Sequence, residues 1–254
     1  MTLKGTWRLA IGIAVICGAG AIADSPSAHP IGSGLSQVRF VGCAADGQVG
    51  PIAAPVDTGK APRVLVSEAK NLAYYATDEI GVLAPRGWHC IGLVGSNGLF
   101  LVVTPDSHTA DEFLASRTKL LGPAIQLTVL DGQTSGRFDV AEVAARLFPN
   151  QRAFVERVLA EGVVSRSDWT FGPYPHDLVQ RKGRQTVLFT TPAYQEGTGT
   201  RSWLGIAGDP IVGLGIMPDN EDHGLVLLDV RLHQSSAREI GMIIGNVRRR
   251  YERH

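Results

Sequence analysis

Ile80–Thr104 reads IGVLAPRGWHCIGLVGSNGLFLVVT. Three runs rich in branched and aromatic residues, Ile80 to Ala84, Trp88 to Val94 and Gly98 to Thr104, are separated by Pro85-Arg86-Gly87 and Ser96-Asn97-Gly98. That is the punctuation of successive β-strands. Proline cannot donate to a central ladder, and an Asn-Gly pair tolerates the positive φ of a tight hairpin. The stretch predicts a meander whose middle strand carries Cys90.

Working outward, Val38 to Cys43 alternates in the manner of a strand, and Arg63 to Val66 is a short β-rich run. Ser67 can cap a helix through Ala76, with Ala69, Leu72, Ala73 and Ala76 on one stripe. After the hairpin, Thr109 and Glu112 have capping-box spacing for a helix through Leu121, and Ala124 to Leu130 reads as a further strand. Asp139 and Glu142 repeat the box for a helix that Pro149 stops at Phe148, and Asn150 opens a second helix ending at Gly162. Ser165 to Lys182 is irregular, with Trp169, Phe171, Pro173, Tyr174 and Pro175 reading as a cover over a core edge. Gln185 to Thr191, Ile211 to Met217 and Leu225 to Leu232 are strands, and Ser236 with Glu239 opens a C-terminal helix. Strands and helices in mixed blocks predict an α+β fold: a mixed, largely antiparallel sheet with three to five helices and one disulfide. Residues 37–254 form a single domain in this reading, with 132–184 as the segment where it would subdivide.

The N-terminus predicts where the chain works. Lys4 and Arg8 precede an apolar run from Leu9 to Ala23, and Ala21-Ile22-Ala23 has the small-x-small pattern that signal peptidase cleaves. The run is shorter than the roughly 20 residues of a membrane-spanning helix. Retention as an anchor is the alternative. Cleavage after Ala23 would leave a Ser-, Pro- and Gly-rich leader over 24–36, remove Cys17, and leave Cys43 and Cys90 to pair in an oxidising compartment. The competing reading makes Cys90 a nucleophile activated by His89, but neighbours in a strand point to opposite faces.

The chain carries 24 basic and 24 acidic residues, and loss of Lys4 and Arg8 leaves 22 − 24 = −2. That balance argues against nucleic acid as a partner. Arg248-Arg249-Arg250 sits where a helix C-terminus favours cations. Four constellations carry candidate chemistry. Arg86, Trp88 and His89 lie beside the expected bridge and could line a pocket holding a carboxylate or phosphate. Asp106 and His108 form an Asp-x-His fragment, but no third ligand has convincing spacing, so no metal is assigned. Asp219 to Asp222 lacks the alternate-position spacing of a calcium loop. Glu196-Gly197-Thr198-Gly199-Thr200-Arg201 could bring backbone N–H groups to an anionic ligand, with Glu196 and Arg201 as its charged members, yet it lacks the Lys-Ser/Thr ending of a P-loop. A flexible connector is its plain reading. Gly-x-Ser-x-Gly, His-Glu-x-x-His and Cys-x-x-Cys are all absent.

Val41–Pro51, VGCAADGQVGP, and Gly81–Cys90, GVLAPRGWHC, together with Thr191-Pro192-Ala193 and Glu196–Thr200, form a recognisable pattern. It resembles uncharacterised exported proteins of proteobacteria in which a Cys-containing Asp-Gly-Gln segment precedes an Ala-Pro-Arg-Gly-Trp-x-Cys segment. The resemblance implies export to the periplasm and a shared fold, and no activity. Taken together, these features lead us to expect an exported periplasmic protein acting as a non-catalytic binding or interaction module of the envelope, without a cofactor. An envelope hydrolase of unfamiliar type, or a secreted enzyme inhibitor with a loop held by the disulfide, are the alternatives.

Overall fold

The computed structural model describes residues 34–252 except 58, 116 and 117. The expected signal segment and most of the leader lie outside the described residues. Along the chain come β1 (Leu35–Gln37), β2 (Arg39–Gly42), β3 (Ala45–Gly47), β4 (Arg63–Leu65), α1 (Val66–Ala69), β5 (Leu72–Ala76) and β6 (Gly81–Pro85). Then follow β7 (His89–Gly95), β8 (Gly98–Thr104), α2 (Ala110–Leu114), β9 (Ala124–Leu130), α3 (Arg137–Leu147) and α4 (Arg152–Ala160). The last elements are β10 (Leu178–Lys182), β11 (Thr186–Thr191), β12 (Ile211–Ile216), β13 (Leu225–Arg231) and α5 (Ala237–Tyr251).

Eight strands form the main sheet, in the order β10-β11-β12-β13-β9-β8-β7-β3. Every pair is antiparallel except β3 with β7. A second sheet has the order β2-β5-β6, and β1 pairs with β4 in a short ribbon. The fold is therefore α+β, with mixed but mostly antiparallel pairing, five α-helices and one disulfide among the described residues.

Period-2 alternation decides which element covers each face of the main sheet. Leu101, Val103, Ile125, Leu127, Leu228 and Val230 point to one side, where they meet the small sheet and Ile243 and Val247 of α5. Val187, Phe189 and Leu225 point to the other, where Val140, Ala144 and Leu147 of α3 and Phe154 and Val158 of α4 cover them. Gly213 on β12 lets the Phe189 ring cross the strand, since a Cβ there would lie 2.0 Å from Phe189 Cζ.

The turn at Asn97-Gly98 forms as expected, with Gly95 opposite Gly98 and Gly98 at φ +151°. The meander does not. It runs β7-β8-β9, while β6 pairs with β5 in the other sheet. The reason lies at Pro85-Arg86-Gly87, a corner rather than a hairpin. The buried Tyr75 hydroxyl donates to the Pro85 carbonyl at 2.9 Å and accepts from the Trp88 N–H at 2.9 Å, turning the chain from one sheet into the other. Cys43, just beyond β2, and Cys90, on β7, form a disulfide with Cα atoms 5.5 Å apart, so the bridge fastens the small sheet to the large one.

Two helix expectations also change. Residues 72–76 form β5 instead of continuing a helix from Ser67, because all five are buried and Tyr74 and Tyr75 must pack on opposite sides. A helical stripe would have left one tyrosine in water. The helix after Thr109 is only α2, and Leu120 instead bridges to Leu204.

Candidate functional site

On the helix-covered face, two apolar strands are interrupted by polar residues. Gln126 and Thr128 on β9 point the same way as Leu227 and Asp229 on β13. The register sets Asp229 opposite Gln126 and Leu227 opposite Thr128. Cross-strand neighbours on one face touch, so three polar side chains share one floor. Above it α3 contributes Asp139, Glu142, Val143 and Arg146, four positions on one helix stripe. Tyr174, Thr198 and Arg201 close the remaining side of a cavity of about 270 Å³.

The floor is chemically unusual. Asp229 is 3 % exposed, and its Oδ1 is buried without a hydrogen-bond partner among the described residues. Burial, with a smaller contribution from the charge of Asp177, pushes this carboxyl well above the usual carboxylate range, which favours the protonated form. Gln126 Oε1 accepts from the Trp203 N–H at 2.8 Å, and its Nε2 donates to Thr128 Oγ1 at 2.9 Å. Each of these acceptor oxygens therefore has one partner. The second Gln126 N–H and the Thr128 hydroxyl proton remain free to donate.

The cations of the cavity differ from one another. Arg201 Nη2 donates to Glu142 Oε1 at 3.2 Å. Arg146 lies over the Tyr174 ring at 3.9 Å, its Nε is buried without a partner, and it forms no ion pair among the described residues. Burial raises the Tyr174 phenol, with Arg146 opposing that shift. Asp139 sits at the far end, where Asn97 Nδ2 from the hairpin tip donates to it at 3.0 Å. Asp139 and Glu142 thus face the cavity, and neither α3 nor α2 shows the side-chain cap expected from its spacing.

One carboxylate holds the Gly-Thr-Gly-Thr loop in place. Asp177 accepts from Thr191 Oγ1 at 2.7 Å and from Thr198 N and Oγ1 at 2.8 and 2.6 Å. The glycines are sterically required. A Cβ at Gly197 would lie 2.1 Å from Asp177 Oδ1, and one at Gly199 would lie 2.6 Å from Ile211 Cγ2. The loop is thereby a fixed wall and not a loose connector. A second hollow of about 380 Å³ adjoins the cavity, with Asn97, Phe100, Gln126, Arg201 and Ser202 common to both. The Trp203 ring stands edge-on to Phe100 and Phe113, with centroids 5.3 and 5.1 Å away. Lys119 Nζ donates to the Ser202 carbonyl at 2.6 Å, and burial lowers its pKa.

The residues singled out in the sequence fall into three places. Arg86, Trp88 and His89 lie at the corner between β6 and β7, where Arg86 and His89 are exposed and Trp88 packs against the core beside Cys90. Asp106 and His108 lie in the connection from β8 to α2, where His108 Nδ1 is 2.7 Å from Glu112 Oε2. None of these five lines the cavity. Arg201 does, and exposed Glu196 stands close enough for its charge to act on Tyr174. Among the described residues, no group of three or more His, Cys, Asp or Glu is placed to hold a metal ion.

Sequence reasoning missed Asp229, Gln126, Thr128 and Arg146. A signal was present: Asp229 interrupts Leu-Val-Leu-Leu-Asp-Val-Arg, and Gln126 and Thr128 share a parity within Ala124–Leu130. Polar residues at one parity of an apolar strand mark a wet or ligand-facing site on a buried face. Comparison of the chain with protein-family models, with curated proteins and with solved structures found no match.

Proposed function

We propose that the protein is a non-catalytic binding protein of the cell envelope, and that it holds a small molecule in the cavity beneath α3. The observation that carries this reading is Asp229, a buried carboxyl without a partner at the floor of a concave site. Leaving such a group unsatisfied costs about 1–3 kcal/mol, a cost a ligand offsets on binding. Phe100, Leu130, Val143, Leu147 and Leu227 supply apolar wall beside the convergent polar groups, a combination that small-molecule sites use.

A ligand-observed NMR screen of neutral, cationic and anionic fragments tests the reading. Hits are expected whose signals revert when Val143→Trp fills the cavity. A library in which no hit responds to that substitution refutes it. Action outside the cytoplasm is supported by the Cys43–Cys90 bridge, since disulfides persist in oxidising compartments. Mass spectrometry of the protein recovered from cells should give a chain beginning at Asp24 with no free thiol. A cytoplasmic chain beginning at Met1 with reduced cysteines would overturn that part.

A second reading, an envelope hydrolase, draws support from the same carboxyl, because burial that raises the pKa of an Asp in a cavity favours the form that acts as a general acid. It requires turnover of an ester, glycoside or peptide substrate that Asp229→Asn abolishes while ligand binding survives.

A further inference from the structure

The four donors around the cavity floor point to the sign of the ligand. Thr128 Oγ1 accepts from Gln126 Nε2 and Gln126 Oε1 accepts from the Trp203 backbone N–H, and each of the two side chains keeps a proton to donate. Asp229, with Oδ1 unpartnered, turns a third polar group to the same space. Arg146 adds a guanidinium that stacks on Tyr174 and forms no ion pair among the described residues. Of the other charged groups, Arg201 pairs with Glu142, while Asp139 accepts from the Asn97 amide and Asp177 from Thr191 and Thr198, neutral donors that fix these two carboxylates in place without cancelling their charge. A planar guanidinium with unused donors matches a carboxylate geometrically.

We infer that the cavity takes a small monocarboxylate with an aromatic or branched apolar body, its carboxylate held by Arg146 and the donors of Thr128, Gln126 and Asp229. The inference rests on the reading of the cavity as a binding site. The apolar body follows from the walls, since Val143, Leu147, Leu227 and Phe100 line the same space. The volume of about 270 Å³ suits a single ring with a short side chain. Burial of Asp229 supports the donor role, because it favours the protonated form. Asp177, from the loop before β10, is the charge that acts on that carboxyl, and Asp139, Glu142 and Arg146 of α3 and Arg201 of the Gly-Thr-Gly-Thr loop share the cavity lining with it.

Phenylacetate, phenylacetamide and phenethylamine share one ring and differ in the charge of the head. Titration of the full mature chain by isothermal calorimetry or NMR should give phenylacetate about tenfold tighter binding than the amide, the size of one charge-assisted hydrogen bond. Arg146→Gln should remove that preference, Arg146→Lys should restore part of it, and Asp229→Asn should keep it because an amide still donates. Thermal unfolding of each variant confirms that it is folded. Equal binding of acid and amide, or tightest binding of the amine with loss in Asp229→Asn, overturns the carboxylate assignment and leaves the cavity as a binding site. If none of the three probes binds, the monocarboxylate assignment falls, and the wider fragment screen with Val143→Trp decides the binding reading separately.

Discussion

Replacing both bridge cysteines, Cys43→Ala with Cys90→Ala, is expected to weaken the fold by a definite amount. Alanine suits Cys43, which is 1 % exposed and would bury an unsatisfied hydroxyl as serine. The bridged residues are 47 positions apart, and a loop of that length restricts the unfolded chain by about 4 kcal/mol in the chain-entropy model. For a domain of this size, about 4 kcal/mol corresponds to a fall in Tm of roughly 8–16 °C. Native stabilities run to about 5–15 kcal/mol, so the variant should still fold, with little margin. Calorimetric melting of the oxidised protein and the double variant measures the shift. Native-state hydrogen exchange should show the loss concentrated in β2, β5 and β6, because the bridge fastens that small sheet to β7. A shift below about 2 °C, or faster exchange spread evenly over both sheets, would refute the reasoning that the bridge adds a local fastening to the apolar packing between the two sheets.

Three further outcomes are expected. Because burial raises the Asp229 pKa, the folded state holds a proton that the unfolded chain releases from about pH 4 upward. Stability contributed by the neutral acid is therefore full at low pH and declines as pH rises toward the folded value, by at most about 1.4 kcal/mol per pH unit. Asp229→Asn should flatten that decline in urea melts at several pH values, and identical profiles for the two proteins would exclude the effect. Gly199→Ala forces a Cβ to 2.6 Å from Ile211 Cγ2, and such overpacking should cost about 1–3 kcal/mol in urea melts and weaken binding of cavity ligands by displacing Thr198 and Arg201. Tyr75→Phe removes the hydroxyl that serves both Pro85 and Trp88, and chemical denaturation should register a loss of about 1–3 kcal/mol. An unchanged midpoint would mean that the corner between the sheets is held by something else.

Much of the strand pattern was legible because it depends on local chemistry. Gly98–Thr104 and Ala124–Leu130 have the strand limits that alternation and turn residues set, and Asn97-Gly98 makes its hairpin. The failures come where a local signal has two solutions. Leu72–Ala76 satisfies a helical stripe, but a segment packed on both sides has no use for an amphipathic face, and β5 results. Asp139 and Glu142 have the spacing of a capping box and also the spacing of one helix stripe, and a cavity beneath that stripe claims them. Glu196–Arg201 was legible as a possible anion-facing loop, yet the carboxylate that fixes it, Asp177, reaches Thr198 across 21 residues of sequence.

The amino-acid sequence by itself determined the α+β class and the hairpin, because period and turn chemistry act within short reach, and it led to the pairing of Cys43 with Cys90 only through the expected removal of Cys17, since the chain carries three cysteines. Only the tertiary structure decided that β6 leaves the meander for a second sheet, and that Asp229, Gln126, Thr128 and Arg146 meet around one cavity. Register between β9 and β13, whose Asp229 and Gln126 lie 103 residues apart in sequence, sets which side chains share a floor, and that pairing is fixed by the packing of whole sheet faces against the helices and the small sheet.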